Sequence, residues 1–167
     1  MSPLAEVLVE RPLRIPTGSK DAAGTVVVVG GPPECPGAAL LSATAALRVA
    51  SGRVRAVVHP EVRAASAAAA WELAVDDWDQ ASPPPPAVLE ALSDAAVVLV
   101  GPGHRDLEPD VVHAIAEATE ATLILDAGAL DAAPKVVGRE LVLAPNEPEA
   151  HRLAGDDGRA DTSALAL

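Results

Sequence analysis

The chain has no phenylalanine and no tyrosine, and only two tryptophans and one cysteine among its 167 residues. With so few rings there is little to stack on nucleic-acid bases. The interior has to be assembled from alanine, valine and leucine, which suits close packing of helices on a sheet. The lone Cys35 excludes an internal disulfide and a multi-cysteine zinc site. Positive charge is scarce: 12 Lys and Arg face 24 Asp and Glu, a formal net charge of -12. Such a chain repels a phosphate backbone, which argues against nucleic-acid binding. A nucleotide is not excluded, because amides at a helix start hold phosphates locally whatever the global charge. No run approaches about 18 unbroken apolar residues, so no membrane span is expected. Early acids and the lack of an apolar signal core point to a cytoplasmic protein.

What is present is patterned. Half the residues are hydrophobic, and the length suits one domain that buries about 70% of its unfolded surface. Short runs rich in Val, Leu and Ile predict five strands: Thr25–Val29, Val54–Val58, Val97–Val100, Thr122–Leu125 and Leu141–Ala144. Helical patterns lie between them: an Ala-rich stretch from Pro36-Gly37 to Ala50, then Val62–Val75, Ala87–Asp94, Pro109–Thr119 and Glu147–Leu153, the last closed by Gly155. Asp76–Ser82 is acidic and expected to be loose, and Pro83–Pro86 to be an extended surface loop. No repeat of fixed period is present. Alternation of strand and helix predicts an α/β fold with parallel strands joined by right-handed crossovers. Four of the strands run into Gly30-Gly31-Pro32-Pro33, Gly101-Pro102-Gly103, Asp126-Ala127-Gly128 and Pro145-Asn146-Glu147. In a parallel sheet these turns share the carboxyl edge, where open α/β sheets bind ligands. The expected division is an irregular segment over 1–23, a domain over 24–155, and a frayed or truncated tail over 156–167, where Ala164–Leu167 resembles a helix that has only begun.

Each turn offers candidates, and each has a plainer structural explanation. Gly31 and Gly37, in GGPPECPGAA, would let a phosphate approach the backbone and a helix start, or simply make a strand-to-helix turn. The segment has neither the Gly-Lys-Ser/Thr of a Walker loop nor the glycine spacing of a dinucleotide fingerprint. Gly101 and Gly103 suit a ligand at a strand end, or a tight turn. Asp126 could bind a hydroxyl, a magnesium-bound water or a proton, or cap a turn. Asn146 and Glu149 suit water-mediated magnesium, or helix capping. Lys20 is a phosphate candidate or an ordinary surface lysine. His59, His104, His113 and His151 lack metal spacing and are taken as surface or turn residues. Cys35 has no basic neighbour to activate it.

Five of these segments occur in one order: KDAAGTVVVVGG over Lys20–Gly31, PGAALLSATAALR over Pro36–Arg48, VLVGPG over Val98–Gly103, LDAGAL over Leu125–Leu130 and LAPNEPEAHRLAG over Leu143–Gly155. In that order and spacing the chain resembles the ADP/ATP-dependent NAD(P)H-hydrate dehydratases, most closely the bacterial stand-alone, ADP-dependent type. The resemblance implies a ribokinase-like three-layer α/β fold with a mostly parallel central sheet, its C-terminal part missing here. It implies a repair reaction. Hydrated NADH or NADPH is phosphorylated on the ring hydroxyl by ADP (or ATP), with Mg2+, and elimination then restores the coenzyme. It also implies substrate contacts at Ala39, Gly103 and Asn146, magnesium near Asn146 and Glu149, and a tendency to form homo-oligomers.

The chain departs from the family pattern at several points. Asn146 stands where a histidine is usual, Pro148 where a glycine is usual, Pro32-Pro33 in place of Gly-Ser, and Ala50-Ser51-Gly52 in place of Gly-Ala-Gly. Nothing after Gly155 matches the Gly-Thr-Gly-Asp turn that bears the family's key aspartate. The 167 residues therefore carry much of the substrate side and little of the nucleotide side. Two other functions are consistent with the pattern: a ribokinase-like small-molecule kinase, and a non-catalytic half-domain that binds a nucleotide or a partner chain.

Overall fold

A computed structural model describes residues 23–49, 52–81, 83–136, 138 and 140–154. What was expected of 1–22, including Lys20, and of 155–167, including Gly155, lies outside the described residues. Six strands form one sheet: β1 Thr25–Val29, β2 Arg53–Val58, β3 Ala74–Asp77, β4 Val97–Val100, β5 Thr122–Leu125 and β6 Leu141–Leu143. Among the described residues five α-helices accompany them: α1 Gly37–Arg48, α2 Arg63–Ala69, α3 Pro86–Ser93, α4 Pro109–Glu117 and α5 Glu147–Ala154. A short 3-10 turn over Pro60–Val62 precedes α2, and a longer 3-10 segment, Ala127–Lys135, joins β5 to β6.

The strand order is β3-β2-β1-β4-β5-β6, and every neighbouring pair is parallel. The chain builds outward from β1 to β3, then returns to lay β4 against the other side of β1. The order therefore reverses between β1 and β4. At such a point the crossovers leave on opposite faces and open a crevice at the carboxyl edge.

β-branched residues fill β1, where Val27, Val28 and Val29 are buried on both faces of the sheet. Successive residues of β1 serve opposite layers. Val27 and Val29 join Val98, Val100, Leu123 and Leu125 in a core with Val88 and Leu92 of α3 and Val112 and Ile115 of α4. Val28 joins Ala56 and Val58 in the other core, against Ala39 and Ala43 of α1. Those two alanines, four residues apart on one helix face, carry no bulk and let α1 lie close to the sheet.

One sequence expectation is overturned. The Ala-rich stretch is not helical through Val75: α2 stops at Ala69, and Ala74–Asp77 is a sixth strand rather than part of a loose segment. The acids that suggested looseness are paired. Asp76 accepts from Arg55 Nε at 2.8 Å and Arg55 Nη2 at 3.0 Å, and Arg63 lies 2.8 Å from Asp77. Val75 is buried, and the strand is held in register by Arg55 opposite Ala74 and Val57 opposite Asp76. An edge strand of four residues with two charges has no apolar run to betray it. The proline run also has a helical use. Pro85 is extended, and Pro86 opens α3, where the missing N–H costs nothing.

Leu123 is fully buried in the centre of β5. Leu123→Ala is expected to destabilise the chain by about 2–5 kcal/mol in urea unfolding. Leu41→Ala, at a position 74% exposed, is expected to stay within about 0.5 kcal/mol.

Candidate active site

At the reversal, the turns after β1 and β4 are bonded to one another beyond the ends of the strands. Gly101 N–H donates to Val29 O at 3.0 Å, and Gly31 N–H donates to Pro102 O at 2.9 Å. Asp126 N–H donates to Val100 O at 3.0 Å, Gly128 N–H to His104 O at 3.0 Å, and Ala144 N–H to Leu125 O at 3.0 Å. One rim thus runs from the turn after β1, through those after β4 and β5, to the start of α5.

This closeness sets the glycine requirement. A Cβ on Gly101 would lie 1.9 Å from Asp126 O, at a φ of +111° that L-residues rarely adopt. A Cβ on Gly103, at φ +91°, would lie 2.8 Å from Cys35 O and 3.1 Å from Ala38 Cβ. At Gly31 the neighbour is Ala39 Cβ, 3.1 Å away. The spaces that glycine leaves here are taken by neighbouring loops, so these glycines shape the rim by packing. Ala39 is 0% exposed and acts from beneath, by letting the turn after β1 settle on α1. Gly37 differs. It is exposed at the start of α1, and a Cβ there would meet nothing within 4 Å. Helix α1 begins with no side-chain cap and no acid in its first turn, so its N-terminal dipole is left uncompensated.

The polar groups gather at the other end of the rim. Asn146 and Glu149 form a reciprocal capping box. Glu149 N–H donates to Asn146 Oδ1 at 3.0 Å, and Asn146 N–H donates to Glu149 Oε2 at 2.8 Å. Each keeps unshared acceptor capacity, but the primary work of the pair is to start α5. Asp126 lies at the end of β5, where burial pushes its carboxyl above the ordinary range. A hydrogen bond from Ala127 N–H opposes that shift, and the charge of Glu149 adds to it. Ala127 itself has φ +50°, a left-handed backbone for a non-glycine residue, which turns the chain sharply beside Asp126. Asp126 thus senses the charge of Glu149 across the ends of β5 and β6. Among the described residues no cluster of three or more His, Cys, Asp or Glu is arranged to hold a metal ion. Oxygen donors of this kind suit magnesium only through its bound waters.

The site contains residues that sequence reasoning set aside. Burial lowers the pKa of His104, Glu34 opposes the shift, and His59 adds to it. The Nε2 of His104 is buried with no hydrogen-bond partner. Three turns, after β1, β2 and β4, bring Glu34, His59 and His104 together at the reversal. No spacing could reveal this, because the three come from different crossovers. The only available signal was His104 directly following Gly101-Pro102-Gly103.

Comparisons with known proteins agree with this architecture. The family model described as NAD(P)H-hydrate dehydratase matches residues 26–166. An ADP-dependent (S)-NAD(P)H-hydrate dehydratase from Xanthomonas campestris is 34% identical, across 97% of this chain and 59% of its own length. Another, from Natrialba magadii, is 31% identical across 75% of this chain and 50% of its own. The chain therefore spans little more than half the length of these curated relatives. A ribokinase-like superfamily protein from Enterococcus faecalis superposes with a TM-score of 0.73 at 20% identity, covering 89% of this chain and 54% of that one. The ADP/ATP-dependent NAD(P)H-hydrate dehydratase from Bacillus subtilis, co-crystallised with ATP and Mg2+, gives 0.65 at 24% identity, covering 85% and 51%. These structures confirm the ribokinase-like fold. Among the described residues no helix is long and apolar enough to cross a membrane.

Two expectations follow from the geometry. Gly101→Ala is expected to cost about 2–4 kcal/mol in urea unfolding, because backbone on both sides must move. Gly37→Ala is expected to be neutral or to stabilise by about 0.5–1 kcal/mol. The raised pKa of Asp126 means that the folded state holds its proton more tightly than the unfolded state does. Stability from this group is present at low pH and is lost as pH rises through the raised value. Asp126→Asn should therefore raise the melting temperature at pH 7, a gain that shrinks to nothing as pH falls below the ordinary carboxyl value of 3.8.

Proposed function

This chain belongs to the NAD(P)H-hydrate dehydratase family, and we propose that it provides the substrate side of an ADP-dependent dehydration that returns hydrated NADH or NADPH to the reduced coenzyme. The observation that carries the reading is the rim at the β1/β4 reversal, built by the segments that resemble the family. Its floor is the interlocked turns of Gly31, Gly101 and Gly103. Its anion-attracting end is the uncapped start of α1 at Gly37. Its carboxylate end is Asp126 with Glu149.

The roles follow from the chemistry. Phosphoryl transfer to a ring hydroxyl needs positioning and charge neutralisation more than covalent help from the protein. Asp126, whose raised pKa brings it nearer to neutral pH, is the group to accept the hydroxyl proton. Asp126 and Glu149 are the carboxylates that would hold magnesium through its waters, and magnesium there would neutralise the phosphates. Lys20 is proposed to contact phosphate, and Asn146 to contact the substrate. The Gly-Thr-Gly-Asp segment that the resemblance associates with phosphoryl transfer does not occur in these 167 residues. We place the protein in the cytoplasm as a homo-oligomer.

The test is binding and turnover with hydrated NADH, ADP and Mg2+. The purified chain is expected to bind hydrated NADH in preference to NADH, yet to restore little or no dihydronicotinamide absorbance. Joined to the C-terminal part of the Xanthomonas relative, it is expected to restore that absorbance. Asp126→Asn should lower the restored rate by about 10²-fold or more. Equal affinity for NADH and its hydrate would sink the substrate assignment. Accumulation of a stable phosphate ester in place of coenzyme would identify a small-molecule kinase instead.

A further inference from the structure

The proposed chemistry leaves one buried titratable group of the rim unused. His104 follows Gly101-Pro102-Gly103, and its backbone closes the rim on two sides. Its N–H donates to Gly101 O at 2.9 Å, and its O accepts from Gly128 N–H at 3.0 Å. The residue is half-buried, and its Nε2 is buried with no hydrogen-bond partner. An imidazole in that state is costly, and packing alone does not call for one, since a leucine would occupy similar space without the penalty. A neutral imidazole carries one N–H, whereas the protonated ring carries two and a full charge. In the closed rim, protonation at Nε2 places that charge where it meets neither solvent nor an acceptor.

The charged groups around the ring come from separate turns. Burial holds His104 below its ordinary value of 6.5; Glu34, from the turn after β1, opposes the shift, and His59, from the turn after β2, adds to it. The Nδ1 of His59 is already taken, accepting from Glu61 N–H at 3.3 Å. Arg105 and Asp106, next on the same loop, are both exposed. A protonated His104 is relieved when the turn after β4 swings outward and brings Nε2 to water. That motion breaks the bond from Gly128 N–H to His104 O and the bond from Gly31 N–H to Pro102 O. We propose that His104 is a proton-operated latch and positioning residue of the rim: uncharged, it lets the turn after β4 lie closed on the turns after β1 and β5, and protonated, it releases them. The latch belongs to the interlocked turns themselves and stands whether or not the rim performs the dehydration. With the rim open the ring is exposed and titrates near 6.5. Closure is therefore fully favoured above that value. It weakens as pH falls from 6.5 to the lowered value of the closed form, where the loss levels off.

The test is amide hydrogen exchange of the full chain, followed by NMR from about pH 7.5 to about pH 5 and corrected for intrinsic exchange at each pH. Gly31 N–H and Gly128 N–H report the latch, because they bond to Pro102 O and His104 O across the turns. Their protection is expected to fall by about threefold or more over this range. The ring protons of His104 give its titration in the same sample, expected below 6.5. His104→Leu fills the site without titrating, and in that variant the two amides are expected to keep their protection throughout. Glu34→Gln, at an exposed position, removes a charge that favours the imidazolium and is expected to deepen the loss. It carries the test where His104→Leu does not fold. The proposal is overturned by protection that does not fall, by an equal fall in folded His104→Leu, by titration of His104 at or above 6.5, or by a loss that Glu34→Gln leaves unchanged or makes smaller.

Discussion

The carboxyl edge of the sheet depends on how closely the turn after β4 can approach the turns after β1 and β5. In a parallel sheet the ladder normally ends where the strands end, and the loops then diverge. Here backbone bonding continues past the strand ends, from Gly31 to Pro102, Asp126 to Val100 and Gly128 to His104. Continuation of that kind needs positions without a Cβ on the inner side of each turn. Gly101 and Gly103 meet this need at left-handed φ values, with carbonyl oxygens where a methyl would otherwise stand. The crevice predicted by the strand order is consequently narrow and rigid at its floor, and its variable groups are raised on the rim.

The scarcity of aromatics is a consequence of the same closeness. Helix α1 begins almost at once after the turn that follows β1, and has to lie low enough for Ala38 and Ala39 to touch Gly103 and Gly31. Alanine at 39 and 43 permits that approach, whereas a larger side chain would lift the helix and open the turn. On the opposite face the close approach to the turn after β4 is made by a small residue, Ala129, whose Cβ would lie 2.9 Å from a Cβ on Gly101. That layer carries the bulk: Leu92, Ile115, Leu123, Leu125 and Leu130 are all fully buried there. The two layers are therefore unequal in side-chain volume, and each meets the rim through alanines.

The sequence made the central sheet legible because β1, β2, β4 and β5 are short runs dominated by Val, Leu and Ile, each followed by a glycine, a histidine-proline pair or an acid that marks its boundary. The edge strand β3 was not legible. Its stability comes from Arg55 and Arg63 reaching Asp76 and Asp77, pairings that exist only after folding. The site was legible as a set of turns but not as a set of roles. Glycines chosen as places for a ligand proved to be places for the neighbouring loop. The candidate pair Asn146 and Glu149 proved to be occupied first with each other. His104 was passed over because an isolated histidine carries no pattern, and its partners Glu34 and His59 enter from different crossovers.

The rim that results is electrostatically divided. Helix α5 has Glu147 and Glu149 in its first turn and a complete capping box, so its N-terminal dipole is already answered and an anion gains nothing there. Helix α1 has neither an acid nor a side-chain cap at its start, and its positive end faces the same edge. Asp126 stands on the side of Glu149, whose charge raises the cost of ionising it. A cation lowers that cost, and phosphate lowers the cost of the uncapped dipole. Two ends of opposite demand on one edge favour a ligand that brings both charges at once, as a magnesium-bound phosphate does. In a chain with a net charge of -12, a local phosphate site of this kind is compatible with a global charge that disfavours a polyanion.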